Sequence, residues 1–226
     1  MNKSLKHERS EKLLKGEGKN ETAIVFGAHP DDVEIGMGGT VAKLAKLGYD
    51  VKLVIAFILN QPNGMAEIRK AEAEKAAKIM GCDQPQFLDL KEHEFIFNRK
   101  LVAILDSIVQ KHNPDTVFTQ WVGDSNQGHR ILTRCVLAAS RRISNVLMYE
   151  TTIPSLVTDV PFGPRLYVDI TSTIEAKKKA LMCHKTQVKK YGPLWLGAIT
   201  GRAAFRGFQI RKPFAEVFEV TQIVKW

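Results

Sequence analysis

A histidine, a proline and two adjacent carboxylates follow one another at His29-Pro30-Asp31-Asp32, directly after the apolar run Ala23-Ile24-Val25-Phe26. Such groups are costly at the end of a buried strand unless something pairs with them. Metal coordination is one such pairing: His29 and Asp32 stand three residues apart and can both turn toward a cation, leaving Asp31 beside it. Helix capping is the other, with Asp31 and Asp32 meeting the first N–H groups of a helix and His29 an ordinary loop residue. A second segment shifts the balance toward the metal. After Thr116-Val117-Phe118-Thr119 comes Gln120-Trp121-Val122-Gly123-Asp124-Ser125-Asn126-Gln127-Gly128-His129-Arg130, and then Ile131, Leu132, Cys135, Val136 and Ala139 at helical spacing. His129 therefore sits at a helix start, on the same carboxyl-end rim as His29. Two histidines and one carboxylate leave coordination positions open, as a catalytic metal site does. The donor set suits Zn²⁺ and also Fe²⁺ or another divalent ion.

Arg69 is a further candidate. It continues the stripe of Ala73, Ala76 and Met80 back by one turn and so faces inward near a helix start. A cation there suits contact with a substrate phosphate, carboxylate or sugar hydroxyl; an ion pair with Glu72 or Glu34 that holds the loop is the other reading. Gly36-x-Gly38-Gly39 lacks the spacing of a dinucleotide fingerprint and reads as close backbone approach before the helix.

The elements that position these residues alternate regularly. Val41, Leu44, Ala45 and Gly48 form a helical stripe, Val51 to Leu59 reads as a buried strand, and Met65 to Met80 as a helix stopped by Gly81. Gln86 to Leu90 reads as a strand, and Leu101, Ile104, Leu105 and Ile108 as a helix. Thr116 to Thr119 and Asn145 to Tyr149 then read as strands on either side of the helix that follows His129. Strand and helix alternating at this spacing predict an α/β fold of Rossmann-like, three-layer type, a mostly parallel sheet covered by helices on both faces. Pro154, Pro161, Pro164, Pro193 and Pro213 interrupt the last third, where a helix over Thr171–His184 and an edge strand over Ala215–Val220 are expected. Residues 1–20 read as a charged arm and residues 21–226 as a single domain.

The composition narrows the function. With 226 residues, 44% hydrophobic and 25% charged, the chain is an ordinary globular protein. The net charge of +9 is spread along the chain without a basic run, which argues against nucleic acid and leaves an anionic small substrate open. The three cysteines, Cys82, Cys135 and Cys183, are far apart, which points to a reducing, cytoplasmic setting. The first twenty residues lack the apolar core of a signal peptide, and the most apolar stretch is half the length of a membrane span.

The stretch Ala28-His29-Pro30-Asp31-Asp32 with Gly38-Gly39-Thr40 resembles the signature of the PIG-L/LmbE-like family of zinc-dependent N-acetylglucosaminyl de-N-acetylases. The resemblance continues through Arg69 with Glu72, Asp124-x-Asn126-x-x-His129-Arg130, His184-x-x-Gln187 and Phe214-Ala215-Glu216-Val217-Phe218, and covers roughly residues 22–220. It implies that His29, Asp32 and His129 bind Zn²⁺, that Asp31 is the general base, and that an N-acetyl group is hydrolysed from an N-acetylglucosamine-type glycoside or related amino sugar. It implies a small-molecule partner and leaves a homo-oligomer open. Two positions depart from the family pattern of His-x-Asp-His before the third ligand. Asn126 takes the place of the first histidine, so it can donate through its amide but cannot act as an acid, and Gly128 takes the place of the aspartate. With Asn126 so changed, His184 becomes a second candidate for contacting the substrate, against the plain reading of a packed or solvent-facing histidine. Three rival readings remain distinguishable: a non-haem Fe²⁺ oxygenase, which resembles an all-β jelly roll; a phosphoacceptor domain with Asp31 and Asp32 on Mg²⁺ and Asp89 taking phosphate; and a non-catalytic carbohydrate-binding relative.

Overall fold

Strand β1 (Thr22–Gly27) is apolar on both sides, and its residues divide between two cores. Ala23 and Val25 face one of them and Ile24 and Phe26 the other, the alternation expected of a central strand covered on both faces. The computed structural model describes residues 21–57, 64–91, 94–151 and 161–224. The expected arm over residues 1–20 and the last two residues of the expected strand Val51–Leu59 lie outside them.

The order of elements is β1, α1 (Asp32–Lys46), β2 (Asp50–Phe57), α2 (Met65–Met80), β3 (Gln86–Leu90), α3 (Arg99–His112), β4 (Thr116–Gln120), α4 (Gln127–Ala139), β5 (Asn145–Tyr149), β6 (Leu166–Asp169), α5 (Ile174–Leu181), α6 (Lys185–Tyr191), α7 (Pro193–Gln209) and β7 (Ala215–Gln222). The seven strands lie in the order β3-β2-β1-β4-β5-β7-β6. β1 to β5 are mutually parallel, and β7 runs antiparallel to both of its neighbours. α1, α2 and α5 cover one face and α3 and α4 the other, so the predicted three-layer α/β architecture is the one observed. The strand order reverses direction between β1 and β4. In an open parallel sheet that is where ligands bind, beyond the carboxyl ends of the strands.

Several stop signals are where the sequence places them. Gly81 closes α2 with φ 82°, and its N–H and that of Cys82 return to carbonyls of the last turn. Three expectations are corrected, and one helix is additional to them. α1 begins at Asp32, so the glycine-rich stretch lies within a helix rather than before it; a Cβ at Gly39 would strike Ile170 and one at Gly36 the ring of Tyr149. The expected helix Thr171–His184 is shorter at both ends, running Ile174–Leu181, and α6 begins at Lys185 after a turn, with Thr186 N–H donating to Glu72. The strand near Phe214 is not at the edge: β6 pairs on its outer side. α7 was not foreseen, because Pro193 and its glycines read as breakers. Pro193 occupies the first turn, where its missing N–H costs nothing, and Gly207 lets the backbone of Phe214 pass close by.

Candidate functional site

His29 to Asp32 follow the end of β1, and Asp124 to His129 follow the end of β4, so the switch in strand order brings the two segments together. His29 Nδ1 lies 3.3 Å from Asp32 Oδ2 and 3.3 Å from His129 Nε2. His129 Nε2 lies 3.2 Å from Asp32 Oδ1. One ligand atom from each of the three falls within a 4.8 Å cluster, the site expected from the sequence. Two imidazole nitrogens at 3.3 Å beside one carboxylate place three donor atoms around a single point, where a proton or a cation can be shared. The electrostatics agree. Burial alone would raise the pKa of Asp32, yet the charges of His129 and His29 hold it well below the usual carboxylate range. Burial alone would lower that of His129, yet the Asp32 charge and the hydrogen bond to Asp124 push it up to about 10. Two nitrogens and one oxygen gathered at one point suit Zn²⁺ or Fe²⁺. The residues present therefore fit such an ion.

Two supporting groups carry no role in the sequence reading. Asp124 Oδ2 lies 3.1 Å from His129 Nδ1, which fixes the ring and leaves Nε2 facing the cluster. Gln120 donates to Asp32 Oδ2 at 2.7 Å, and the His29 N–H donates to the same oxygen at 2.6 Å. The signal available was a carboxylate just ahead of an expected ligand histidine, a common arrangement around metal sites.

Asp31 occupies the N-cap of α1 but makes no side-chain cap; its φ of 116° is a left-handed conformation that non-glycine residues avoid. Burial first, and then the Asp32 charge, push its carboxyl up to about 7, against the pull of His184, Arg69 and His29. Arg69 is buried and donates to Pro30 O at 2.7 Å and to Asp31 Oδ1 at 3.2 Å. Its ion pair is thus with Asp31 rather than with Glu72 or Glu34. Glu72 is occupied with the N–H and hydroxyl of Thr186, and Glu34 lies 3.4 Å from His184 Nε2.

Asn126 caps α4, its Oδ1 accepting from Gly128 N and His129 N, so any hydrogen bond to a ligand comes from its amide nitrogen. A Cβ on Gly128 would approach His29 Nε2 to 3.5 Å and the capping oxygen of Asn126 to 3.2 Å, so the glycine leaves the His29 ring uncrowded. His184 is fully buried with its Nε2 3.4 Å from Glu34 Oε1, as in the packed reading, and is not among the groups that line the cavity with Asp31. Burial would lower its pKa, but Glu34 raises it. Asp89, the phosphoacceptor candidate, is exposed on the outer strand β3 and paired with Lys70 at 2.7 Å.

The cluster opens into a cavity of about 420 Å³, lined by His29, Asp31, Asp32, His129, Arg69 and Asn126 on one side and by Gln187, Lys190, Tyr191 and Trp195 of α6 and α7 on the other. A larger, mostly apolar hollow of about 700 Å³ lies at the opposite, amino ends of β1, β4 and β5, and none of the clustered groups lines it.

Comparison with known proteins bears on the family and the fold. The chain is 30% identical over 183 residues to the uncharacterized deacetylase YaiS of Escherichia coli strain K12, covering 77% of this chain and 96% of that protein. In fold it is similar to the N,N'-diacetylchitobiose deacetylase from Pyrococcus horikoshii, with TM-score 0.75 and 23% identity over 98% of this chain and 93% of that one. It is also similar to GalB, the 4-carboxy-2-hydroxymuconate hydratase from Pseudomonas putida KT2440, with TM-score 0.78 and 19% identity over 91% and 98% of the two chains. A deacetylase and a hydratase share the fold, so the reaction has to be argued from the site. Residues 24–140, which carry all the clustered groups, match the family model PIG-L: GlcNAc-PI de-N-acetylase, and the chain belongs to that family.

Proposed function

We propose that this protein is a metal-dependent amidohydrolase that removes the N-acetyl group from an N-acetylglucosamine-type glycoside or a related amino sugar. The observation that carries the reading is the meeting of His29, Asp32 and His129 at one point, with a fourth group, the Asp31 carboxylate, beside them in the same cavity. The three would hold a divalent cation, Zn²⁺ before Fe²⁺. When bound, such an ion polarises an amide carbonyl and draws the pKa of water down towards about 7.

The remaining work falls to the chain's own groups. Asp31, in the wall of the same cavity, takes the proton of the attacking water and passes it to the leaving amine; one carboxylate within hydrogen-bond reach serves both steps. Arg69 holds that carboxylate and the Pro30 carbonyl in place, and its position in the cavity wall leaves it a contact for the sugar. The amide nitrogen of Asn126 supplies a donor for the acetyl oxygen or a sugar hydroxyl. We take residues 21–226 as one domain and the setting as cytoplasmic; among the described residues no helix is long and apolar enough to cross a membrane. The test is acetate release from a panel of N-acetylglucosaminides by metal-stripped protein with and without added Zn²⁺. Acetate released only with metal supports the reading. Metal uptake with no acetate from any member of the panel would leave a carbohydrate-binding relative or a different hydrolytic or hydrating reaction.

A further inference from the structure

Helix α1 is not continuous in its hydrogen bonding. At Met37 the backbone leaves the helical region, with φ −146° and ψ 22°. The bonds that a straight helix would make across this point are made by side chains from distant elements. The N–H groups of Gly39 and Thr40 donate to the two carboxylate oxygens of Glu216 on β7, at 3.0 and 2.6 Å. The Ile35 carbonyl, which the Gly39 N–H would meet in a regular helix, accepts instead from Lys177 Nζ of α5 at 2.9 Å and Arg202 Nη2 of α7 at 3.1 Å. Lys177 and Glu216 form a direct ion pair and are only 1% and 4% exposed. On the other side, Tyr149 presses its ring against Gly36 and ties its hydroxyl to the Phe26 carbonyl at 2.7 Å.

A buried ion pair is a poor device for stability, since apolar residues of equal volume often do as well. This one performs a local task. Its carboxylate is a helix cap supplied from within the core, and its ammonium receives the carbonyl that the cap displaces. We propose that Glu216, held by Lys177, is a positioning residue for the candidate site: it starts a second helix at Gly38–Thr40 and so frees the turn Asp32–Gly36 to aim Asp32 at His29 and His129. Glu216 does not line the cavity and acts only through this turn. The proposal rests on the reading of the three clustered residues as cation ligands.

The test uses the full chain, stripped of metal, with zinc affinity read by competition against a chromophoric chelator. Glu216→Gln keeps the volume but offers one oxygen to two N–H groups. It should weaken zinc binding about 10–100-fold, the usual effect of disturbing groups that orient ligands. Because the single variant leaves Lys177 uncompensated and threatens folding, Lys177→Met/Glu216→Gln is measured beside it. The double variant should recover thermal stability without recovering zinc affinity, whereas a purely structural role makes the two return together. Hydrogen exchange at Val33 to Gly36 is followed on the same metal-free samples and should quicken at least about tenfold relative to β1 and β4, as expected for a locally loosened turn. Zinc affinity within about twofold of wild type in a folded variant overturns the proposal. So does unchanged exchange in the turn, whatever the affinity does. Should the wild-type chain take up no zinc, the metal reading fails by itself, and the exchange data alone decide whether Glu216 orients the turn.

Discussion

Replacing Asp31 by asparagine should produce a protein that is more stable and far less active. The carboxyl is buried beside the charge of Asp32, and its pKa rises from 3.8 to about 7 in the folded chain. For an acid, a raised value means that the folded state holds the proton more tightly than the unfolded state. The contribution of this one group to stability is then greatest below pH 4, falls as pH rises through the interval to about 7, and is level above it. At about 1.4 kcal/mol per unit, the whole fall amounts to about 4 kcal/mol, a ceiling on what removing the charge can return. Asparagine keeps an oxygen for Arg69 and tolerates the left-handed backbone well. Metal-free Asp31→Asn should therefore exceed wild type at pH 8 by about 1–3 kcal/mol and differ little from it near pH 3.5. Meanwhile kcat should drop about 10²–10⁴-fold, or about 3–5 kcal/mol of barrier, with zinc content unchanged. Urea unfolding of the metal-free protein at both pH values, with zinc analysis and kcat on the loaded protein, measures all three. A turnover near wild type would show that Asp31 is not the base. A variant less stable than wild type at pH 8 would refute the argument from burial.

Asp32→Ala and His129→Ala should each lose most bound zinc and all measurable acetate release while the far-ultraviolet circular dichroism stays native; stoichiometric zinc in His129→Ala removes that ligand. Arg69→Ala should lower kcat as well as raise KM, because the guanidinium steadies Asp31 and Pro30, and should cost about 1–3 kcal/mol of stability for the bonds it leaves unmade. A rise in KM with kcat intact would make Arg69 a substrate contact alone. His184 has its pKa raised above 6.5 by Glu34 in spite of burial, so its charge stabilises the fold below pH 6.5 and ceases to do so as pH rises through the folded value. The stability gap between wild type and His184→Gln should accordingly be widest at pH 5 and narrow above neutrality; a gap that is flat with pH refutes the ionic role.

The parts of this protein that obey simple periodicity were legible in its residues. Ala23 to Phe26 read as a two-faced strand and are one, and the inward stripe of Arg69, Ala73, Ala76 and Met80 is buried throughout. The meeting of His29 with His129 followed from both lying at carboxyl ends of strands, which the topology makes neighbours. What was not legible depends on partners chosen by the tertiary fold. Gly36 to Gly39 read as a loop because a helix there needs Glu216 and Lys177, both far along the chain, to take its orphaned groups. The Lys177–Glu216 pair itself is invisible to local pattern, since each residue alone reads as a solvated charge. β6 is only four residues long and follows prolines, so nothing marked β7 as an interior strand. For Arg69 the ion-pair reading named Glu72 or Glu34 as partner, and spacing alone could not show that other elements had already engaged both.

The bond between Gly39 and Glu216 spans 177 positions, against 100 between His29 and His129. In equilibrium terms the longer closure adds only about 0.5 kcal/mol. In time it matters more. A nascent chain grown to residue 140 already carries the whole segment that matches the family, with His29, Asp31, Asp32 and His129 all synthesised. Glu216 lies a further 76 positions on, and at about 5–20 residues per second the ribosome takes roughly 4–15 s to reach it. Through that interval the would-be ligands exist without the carboxylate that sets their first turn. Synthesis therefore runs in an order: the clustered residues come first, and the β7 carboxylate proposed to set their turn only afterwards.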